Sequence, residues 1–503
     1  MSALLGLVER ISPYAILVAI SVLIILRTLL RYLFGPLSKI PGPFAAKFSS
    51  LWIVYQCRLA RRSMSVLRQH EKYGPFVRIA PNHISISDRS ALETIYGHHS
   101  GFLKGPFYED MCLVEPVLFN TRDPRVHQRK RKYLSPAFSA KNLNDYEPHM
   151  SAQIGKLMTC IHRHTQADGG VQIDFNEYFN YLAFDVIGDY AFGKSFGFLE
   201  KEEDHLNLIN TIDARGEVLN ALGHLPGRPR PLMKYFYLDS FWPKGLQATS
   251  DLASIGKDAY YQRRDQQDSR KDLLSFLFNA KDPDTGAPLS ETEIIAESIS
   301  FIVGGSDTTS STMTNVVDIV SRFPEIQKQL ELELDRVFPG PMPMGWVADF
   351  QTVNQLPILN AVVRETMRFK PTSSTGLERV TPEGGKIIAG MFIPEGTLVS
   401  VPTLNIHHDK SAFRNPDRFD ISRWMNGDSS NRLESFYPFS LGPRACIGRN
   451  FAWMEMLKTL GTLFKLFSIE RATTLDTEVR EGFFVKNSEC KVKITRRVLS
   501  RGS

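Results

Sequence analysis

The sequence predicts a mainly helical fold with a small β region, preceded by a single N-terminal helix that spans a membrane. Three observations carry this reading. Long stretches repeat their apolar residues with a period near 3.6, notably Tyr178 to Phe192, Glu293 to Ser321 and Gln355 to Phe369. Stretches with β character are short, around Phe76 to Ser87 and Lys386 to Pro402. No residue from Ile11 to Leu26 is charged.

The apolar run continues past Arg27 through Leu29, Leu30, Leu33 and Phe34. A span needs about 20 mainly apolar residues, so Pro13 to Phe34 suffices if Arg27 and Arg31 reach back to the interface. A cleaved signal peptide is the alternative, but the run is long for one and no small-residue cleavage motif follows. Arg27, Arg31, Lys39 and Lys47 follow the run, whereas Glu9 and Arg10 before it largely cancel, which predicts that the large C-terminal body stays in the cytoplasm. The expected location is the endoplasmic reticulum membrane, crossed once. In Pro41-Gly42-Pro43 two prolines fix φ and remove amide donors, which predicts a stiff hinge. Beyond it no low-complexity linker, repeat or charge block divides the chain. The expected organisation is an anchor and its approach over 1–40 and one catalytic body over 41–503.

Of 503 residues 43% are hydrophobic and 23% charged, a globular mixture that excludes wholesale disorder, collagen and a multi-span membrane protein. Lys plus Arg exceed Asp plus Glu by 60 to 54, a net charge of +6. Such an excess suits an acidic partner or a membrane surface and is too weak to imply nucleic acid. Cys57, Cys112, Cys160, Cys446 and Cys490 lie far apart without a CxxC pair, so they indicate neither a disulfide scaffold nor a zinc site.

The most specific segment is Phe439-Ser-Leu-Gly442-Pro-Arg444-Ala-Cys446-Ile-Gly448, followed by an apolar helical run from Phe451 to Phe467. A thiolate metal ligand needs a tight loop that exposes sulfur, amides aimed at it, and a helix N-terminus behind it. Gly442 and Gly448 permit the tight backbone, and Arg444 adds a cation. The bland alternative is an ordinary buried cysteine in a glycine-rich turn.

With this segment the chain resembles the haem-thiolate monooxygenases of the cytochrome P450 superfamily. The resemblance implies that Cys446 is the axial ligand of a haem b iron, with Phe439 packed near it. It implies an oxidoreductase that inserts one atom of dioxygen into a small, apolar or partly polar molecule. Electrons would come from NADPH through a flavoprotein, the NADPH-cytochrome P450 reductase, with cytochrome b5 as a further donor.

Further motifs occur in the order this family shows. Glu365-Thr-Met-Arg368 puts two opposite charges on one helical face, and the family completes the pair with an arginine, here Arg423 in Ile421-Ser422-Arg423-Trp424. The role implied is structural. Glu333-Leu-Asp-Arg336 has the same spacing and reads as a solvated helical ion pair. On the long helix, Gly304-Gly305-Ser306-Asp307-Thr308-Thr309 matches the oxygen-activation motif. The Thr308 hydroxyl can bond the Gly304 carbonyl and open a local groove, and the resemblance assigns proton relay to Asp307 and Thr308. A phosphate loop GxxxxGK[ST] and a hydrolase elbow GxSxG are both absent. His127 and Arg131, four apart on one helical face, and Arg379 and Arg444 match cations that hold the haem propionates. The surrounding Arg125, Arg129, Lys130 and Lys132 are either a solvated face or a dock for an acidic reductase. His98-His99 and His407-His408 read as solvated loop histidines.

By analogy the substrate meets Phe102, Phe107, Ile302, Gly304, Ser374, Leu377 and Phe484, an apolar pocket with a few polar anchors. Within the superfamily Val77-Arg-Ile-Ala-Pro81, Phe179-Asn-Tyr-Leu-Ala-Phe-Asp185-Val-Ile-Gly188 and Gly442-Pro-Arg-Ala-Cys446 are most similar to fungal microsomal members, particularly the benzoate para-hydroxylase group. That group has Leu-Pro-Arg where this chain has Leu377-Glu378-Arg379, and Glu378 is expected beside the pocket, where it would repel a carboxylate. The leading expectation is therefore a tailoring oxidation in secondary-metabolite biosynthesis, and para-hydroxylation of benzoate or a related aromatic acid is second. A haem-thiolate isomerase conflicts with the intact Asp307-Thr308 pair. A non-catalytic haem-binding membrane protein is the alternative from another class.

Overall fold

The computed structural model describes residues 12–497 apart from 166–170, 226, 228–229, 267–269, 426–432 and 474–476. Its principal helices are α1 (Pro13–Phe34), α2 (Arg62–Tyr73), α3 (Pro124–Leu134), α4 (Ala140–His164), α5 (Phe175–Phe192), α6 (Leu208–Leu222), α7 (Phe241–Asp265), α8 (Glu291–Val320), α9 (Pro324–Val337), α10 (Pro357–Phe369), α11 (Thr403–His407) and α12 (Arg449–Leu466). The strands are β1 (Phe76–Ala80), β2 (His83–Ile86), β3 (Leu103–Lys104), β4 (Val171–Asp174), β5 (Arg379–Val380), β6 (Lys386–Ile388), β7 (Met391–Ile393), β8 (Leu398–Ser400), β9 (Phe467–Arg471), β10 (Val479–Glu481), β11 (Val485–Asn487) and β12 (Lys491–Arg496). This is the mainly helical body with small sheets that the periodicity predicts.

Local chemistry sets the ends of the helices that matter. Ser290 Oγ accepts the Glu293 amide at 3.1 Å, and Glu291 and Glu293 place acid in the first turn of α8. Asp123 caps α3 by accepting the Arg125 amide at 2.7 Å, with Pro124 at the first helical position. Helix α5 stops at Gly193, whose φ of 71° is the left-handed conformation that a helix C-terminus favours. The Glu333 side chain accepts the Ile358 and Leu359 amides at 2.7 and 2.9 Å, so it caps α10 from α9. The predicted solvated pair with Arg336 gives way to this cap because four orphan amides offer a buried carboxylate more than one exposed cation does.

Helices α4, α5, α8, α10 and α12 enclose the main core, in which Phe179, Phe184, Val316, Val317, Val362 and Phe464 are fully buried. Helix α8 packs along α5 closely enough that a Cβ added at Gly305 would meet Ile187 at 2.6 Å. The main sheet runs β1-β2-β8-β5-β3. Strand β2 pairs in parallel with β8 through His83 and Leu398, and β5 brings Arg379 beside Lys104 of β3. A second sheet, β4-β12-β9, and the β6-β7 and β10-β11 hairpins complete the β region among the described residues.

The segment read as an anchor forms the 22-residue helix α1, and Tyr14, Leu17, Leu23, Ile24 and Phe34 on it are exposed. Among the described residues no helix is long and apolar enough to cross a membrane. Glu9 and Arg10 lie outside the described residues. The segment 41–43 is docked on the body: the Pro41 carbonyl accepts the Arg78 amide at 2.7 Å, and a Cβ on Gly42 would sit 2.2 Å from the Arg78 carbonyl oxygen. Leu37 and Ile40 are buried in the same cluster as Phe76 and Ile84, so the body's packing begins before residue 41.

Candidate active site

The segment that carries Cys446 is held by its own backbone. The Cys446 amide donates to the Phe439 carbonyl at 2.9 Å and the Ala445 amide to Gly442 at 3.1 Å. Gly442 has φ of 63°, and a Cβ there would lie 2.1 Å from the Tyr96 carbonyl oxygen, so conformation and space both require glycine. The loop leads directly into α12 through Gly448. Protein surrounds Cys446 on nearly every side, yet its residue surface is exposed because it faces a cavity. Burial raises the thiol above its usual range, opposed by the Gly448 amide and the charges of Arg131 and Arg449.

That cavity encloses about 1700 Å³ of space and is open in part to solvent. Gly304, Gly305 and Thr308 of α8 line it together with Phe439, Cys446 and Gly448. At both Gly304 and Gly448 a Cβ would meet nothing within 4 Å, so these walls are cut back to bare backbone. The Thr308 hydroxyl donates to the Gly304 carbonyl at 3.2 Å, the bond predicted from sequence.

Cations gather around the same chamber. Arg131 donates from Nη1 to the Ala445 carbonyl at 2.6 Å, and Arg444 from Nη1 to the Thr121 carbonyl at 2.8 Å. Lys104 is buried, donates to the Phe119 carbonyl, and sits over the Tyr108 ring at 4.1 Å. Arg379 stands behind the lining: its guanidinium bonds the Glu378 carbonyl at 2.9 Å and lies 5.0 Å from the centre of the Tyr96 ring. Among the described residues no carboxylate pairs with any of the four. Burial and the charges of Arg379 and Arg444 pull Lys104 well below its usual range. Burial, with Arg444, Lys104, Arg131 and Arg379, lowers His127 to about 3, so it is a neutral donor rather than a cation. A thiol ligand, two bare backbone walls and a set of unpaired cations fit a flat metal-bearing group with anionic substituents, which is what a haem with two propionates offers. Lys104 was not legible as a member of this set, and only its pairing in β3 beside Arg379 brings it there.

A second lobe of about 980 Å³ adjoins the chamber and shares Phe119, Ser300, Gly304, Phe483 and Phe484 with it. Asp307 lines this lobe, whereas Thr308 lines the cysteine chamber. Asp307 Oδ1 is 2.7 Å from Lys486 Nζ, Lys486 also contacts Asp213 of α6, and Arg480 pairs with Asp213 at 2.9 Å and with Glu217. Burial raises the Asp307 carboxyl against the lowering effect of Lys486. Burial also works to deprotonate Lys486, but the charges of Asp307 and Asp213 outweigh it and hold the ammonium above its usual range.

Of the substrate residues expected from sequence, Gly304 and Phe484 line both lobes and Leu377 lines the chamber. Four others do not line either lobe. Ile302 is fully buried in the core, because α8 is covered on nearly every side and periodicity cannot say which face meets the cavity. Phe102 packs against the β-sheet cluster, and Ser374 turns back to the Pro371 carbonyl at 2.5 Å while its neighbour Ser373 lines the chamber. Phe107 is buried one layer behind, with its ring 6.0 Å from that of Phe483. Glu378, expected beside the pocket, also turns away. It accepts the Phe107 amide at 3.3 Å and sits 3.6 Å from His83, in a buried trio with His224.

The structural set assembles as expected. Arg368 donates from Nε and Nη2 to Glu365 at 2.8 Å each, and Arg423 Nε reaches Glu365 Oε1 at 3.2 Å. Trp424 Nε1 adds a bond to Glu365 Oε2 at 2.9 Å. His407 is corrected from a solvated loop residue to a fully buried one on α11: its ring nitrogen accepts the Tyr437 amide at 3.2 Å, and burial first, then Arg368, lowers it to about 3. The basic run on α3 is corrected too. Arg129 and Lys130 turn inward onto Glu293, and Lys130 continues to Glu297 at 3.1 Å, whereas Arg125 and Lys132 are exposed. His98 and His99 are exposed, as predicted.

Comparison with known proteins agrees with this geometry. The family profile described as Cytochrome P450 matches residues 41–494. Benzoate 4-monooxygenase bphA of Aspergillus niger is 37% identical over 97% of this chain and 98% of its own length. Cytochrome P450 monooxygenase astD of Aspergillus oryzae is 32% identical over 88% of this chain and 86% of its own. Cytochrome P450 monooxygenase ORF9 of Penicillium roqueforti is 31% identical over 87% and 84%.

Proposed function

The chain belongs to the cytochrome P450 family and is a monooxygenase, and on that premise we propose that it oxidises a mainly apolar small molecule in a secondary-metabolite pathway. The observation that carries this reading is the joining of two lobes at Gly304, one facing the Cys446 thiol and the other lined by Met111, Leu113, Val117, Phe483 and Phe484. When bound, the haem supplies the electron-transfer and dioxygen chemistry of the reaction. The protein supplies position and protons. Cys446 would hold the iron as thiolate, while Arg131, Arg444 and Lys104 would hold the propionates and His127 would offer an N–H. Thr308 Oγ1 stands at the chamber wall, where it can pass a proton, and the Asp307 carboxyl on the preceding residue can supply one.

A second reading, hydroxylation of benzoate or a related aromatic acid, is supported by the near full-length similarity to a benzoate 4-monooxygenase. It gains from Glu378, because that carboxylate faces His83 and the Phe107 amide and so places no charge in the lobe.

In the same proposal an NADPH-dependent flavoprotein reductase supplies electrons, supported by exposed Arg125 and Lys132 on the helix that holds the Cys446 loop through Arg131. Helix α1 holds the body to the endoplasmic reticulum membrane, supported by its exposed apolar side chains.

The test is oxygen consumption driven by NADPH in microsomes that hold the chain and a reductase, after a reduced carbon monoxide spectrum has established thiolate ligation. Metabolite profiling of a deletion strain then separates the readings. Accumulation of an unoxidised biosynthetic intermediate supports the first, and loss of growth on benzoate supports the second. An intact spectrum with no substrate-dependent oxygen consumption and no change in either profile would overturn both.

A further inference from the structure

Most of the charges that line the substrate lobe are in ion pairs, and one buried cation is not. Asp213 and Glu217 meet Arg480, and Lys486 bridges Asp213 and Asp307. Arg215, on the same turn of α6 as these acids, has no such partner. It is 7% exposed, its Nη2 donates to the Met111 carbonyl at 3.0 Å, and among the described residues its buried Nε has no acceptor. Among the described residues no carboxylate pairs with it. Glu115, the remaining carboxylate of the lobe, forms no ion pair among the described residues.

A guanidinium taken out of water without a counter-charge is costly, and it is costlier still with an N–H left unbonded. Burial lowers Arg215 only to about 10, so it stays charged at neutral pH. The side chain lines a lobe whose other walls are largely apolar, among them Leu113, Val117, Leu219 and Phe484. A planar fork of N–H donors at the wall of an apolar lobe suits one functional group above others, a carboxylate.

We propose that Arg215 is a specificity residue that receives a carboxylate of the substrate, so that this monooxygenase acts on an organic acid whose apolar part extends toward Gly304 and the Cys446 chamber. The proposal rests on the monooxygenase reading and narrows its substrate class. It concerns binding alone and adds no step to the reaction.

The experiment is an optical titration of the haem-loaded full chain with benzoate, cinnamate and decanoate, each run against its primary amide. In the wild type at least one acid is expected to give a saturable spin-state shift with an affinity roughly 10- to 100-fold above its amide, the worth of one charge-assisted contact. Arg215→Met is expected to erase that preference, weakening acid binding far more than amide binding, and Arg215→Lys to keep part of it. If no acid of the panel exceeds its amide in the wild type, or if Arg215→Met keeps the preference, the proposal is overturned. The wild-type comparison holds even where a variant fails to fold. Failure of the monooxygenase reading would look different, as absence of the thiolate signature in the reduced carbon monoxide spectrum before any titration.

Discussion

Asp307 Oδ1 of α8 lies 2.7 Å from Lys486 Nζ of β11, so the acid of the oxygen-activation motif is tied to a hairpin far from it in sequence. Lys486 in turn contacts Asp213 of α6. The residue next to the cysteine chamber and the helix that covers the substrate lobe therefore share one ammonium. If Asp307 supplies protons to Thr308, Asp307→Asn is expected to lower product formed per NADPH by ~10²-fold, the usual scale for loss of a positioned proton donor. The reduced carbon monoxide spectrum is expected to stay unchanged. Lys486→Gln leaves the buried Asp307 without its cation and Asp213 with Arg480 alone, and its effect combined with Asp307→Asn is expected to be less than the product of the two single effects. Multiplicative effects on turnover would show that the pair does not act as a unit.

Glu365 carries the second expectation. It is fully buried and accepts from Arg368, Arg423, Trp424 and the Asp420 amide. Glu365→Gln leaves two buried guanidinium groups without a counter-charge, so it is expected to destabilise the fold by ~3–5 kcal/mol. Denaturant unfolding measures this, and a loss below about 1 kcal/mol would assign the set a lesser role than its burial implies.

What the sequence made legible was chemistry written at short spacing. Cys446 and its glycines, Thr308 with Gly304, and Glu365 with Arg368 each lie within a few residues of their partners, so local geometry determines them. Arg423 was legible although Ile421 and Ser422 precede it, because the turn Ile421–Trp424 still delivers the guanidinium to Glu365. The residues that were missed or misplaced have partners across the fold. Lys130 meets Glu293, 163 positions away, and Glu297 accepts the Leu118 amide, 179 positions away. Arg368 reaches the carbonyl of His407, which looked like a loop residue because nothing nearby in sequence says that α11 is buried. Apolar period identified α8 as a buried helix but could not separate Ile302, in the core, from Val303, on the lobe.

Lys104 makes a prediction with opposite signs in two states. Its amino group is buried beside Arg379 and Arg444, and among the described residues no carboxylate pairs with it. Lys104→Met removes like-charge repulsion from the haem-free chain and, if Lys104 holds a propionate as proposed, removes that contact from the loaded one. The haem-free variant is therefore expected to melt higher than the haem-free wild type, and the loaded variant is expected to lose haem several-fold faster to an apo-globin acceptor. A variant that retains haem as well as the wild type would remove Lys104 from the cradle.

Glu297 predicts a pH dependence whose sign follows from its surroundings. It lines the cysteine chamber, is fully buried, accepts the Leu118 amide at 2.9 Å and lies 3.1 Å from Lys130, while its Oε2 has no partner. Burial raises the carboxyl from 4.5 to about 7 against the lowering effects of Lys130 and the Leu118 amide. The folded state then holds a proton that the unfolded state has released, so the stability tied to this proton is complete below about 4.5 and is lost as pH rises through about 7. Glu297→Gln keeps an acceptor for the Leu118 amide and cannot titrate. The wild type is expected to lose stability relative to this variant by ~1.4 kcal/mol per pH unit across that window, about 3 kcal/mol in all, with no further change on either side. Urea unfolding of both proteins from pH 4 to 8 measures the difference. A wild type that instead gains stability over the variant between pH 4 and about 5.5 and keeps it above would mean that Lys130 holds Glu297 ionised throughout, and that the carboxylate facing the chamber is a fixed charge.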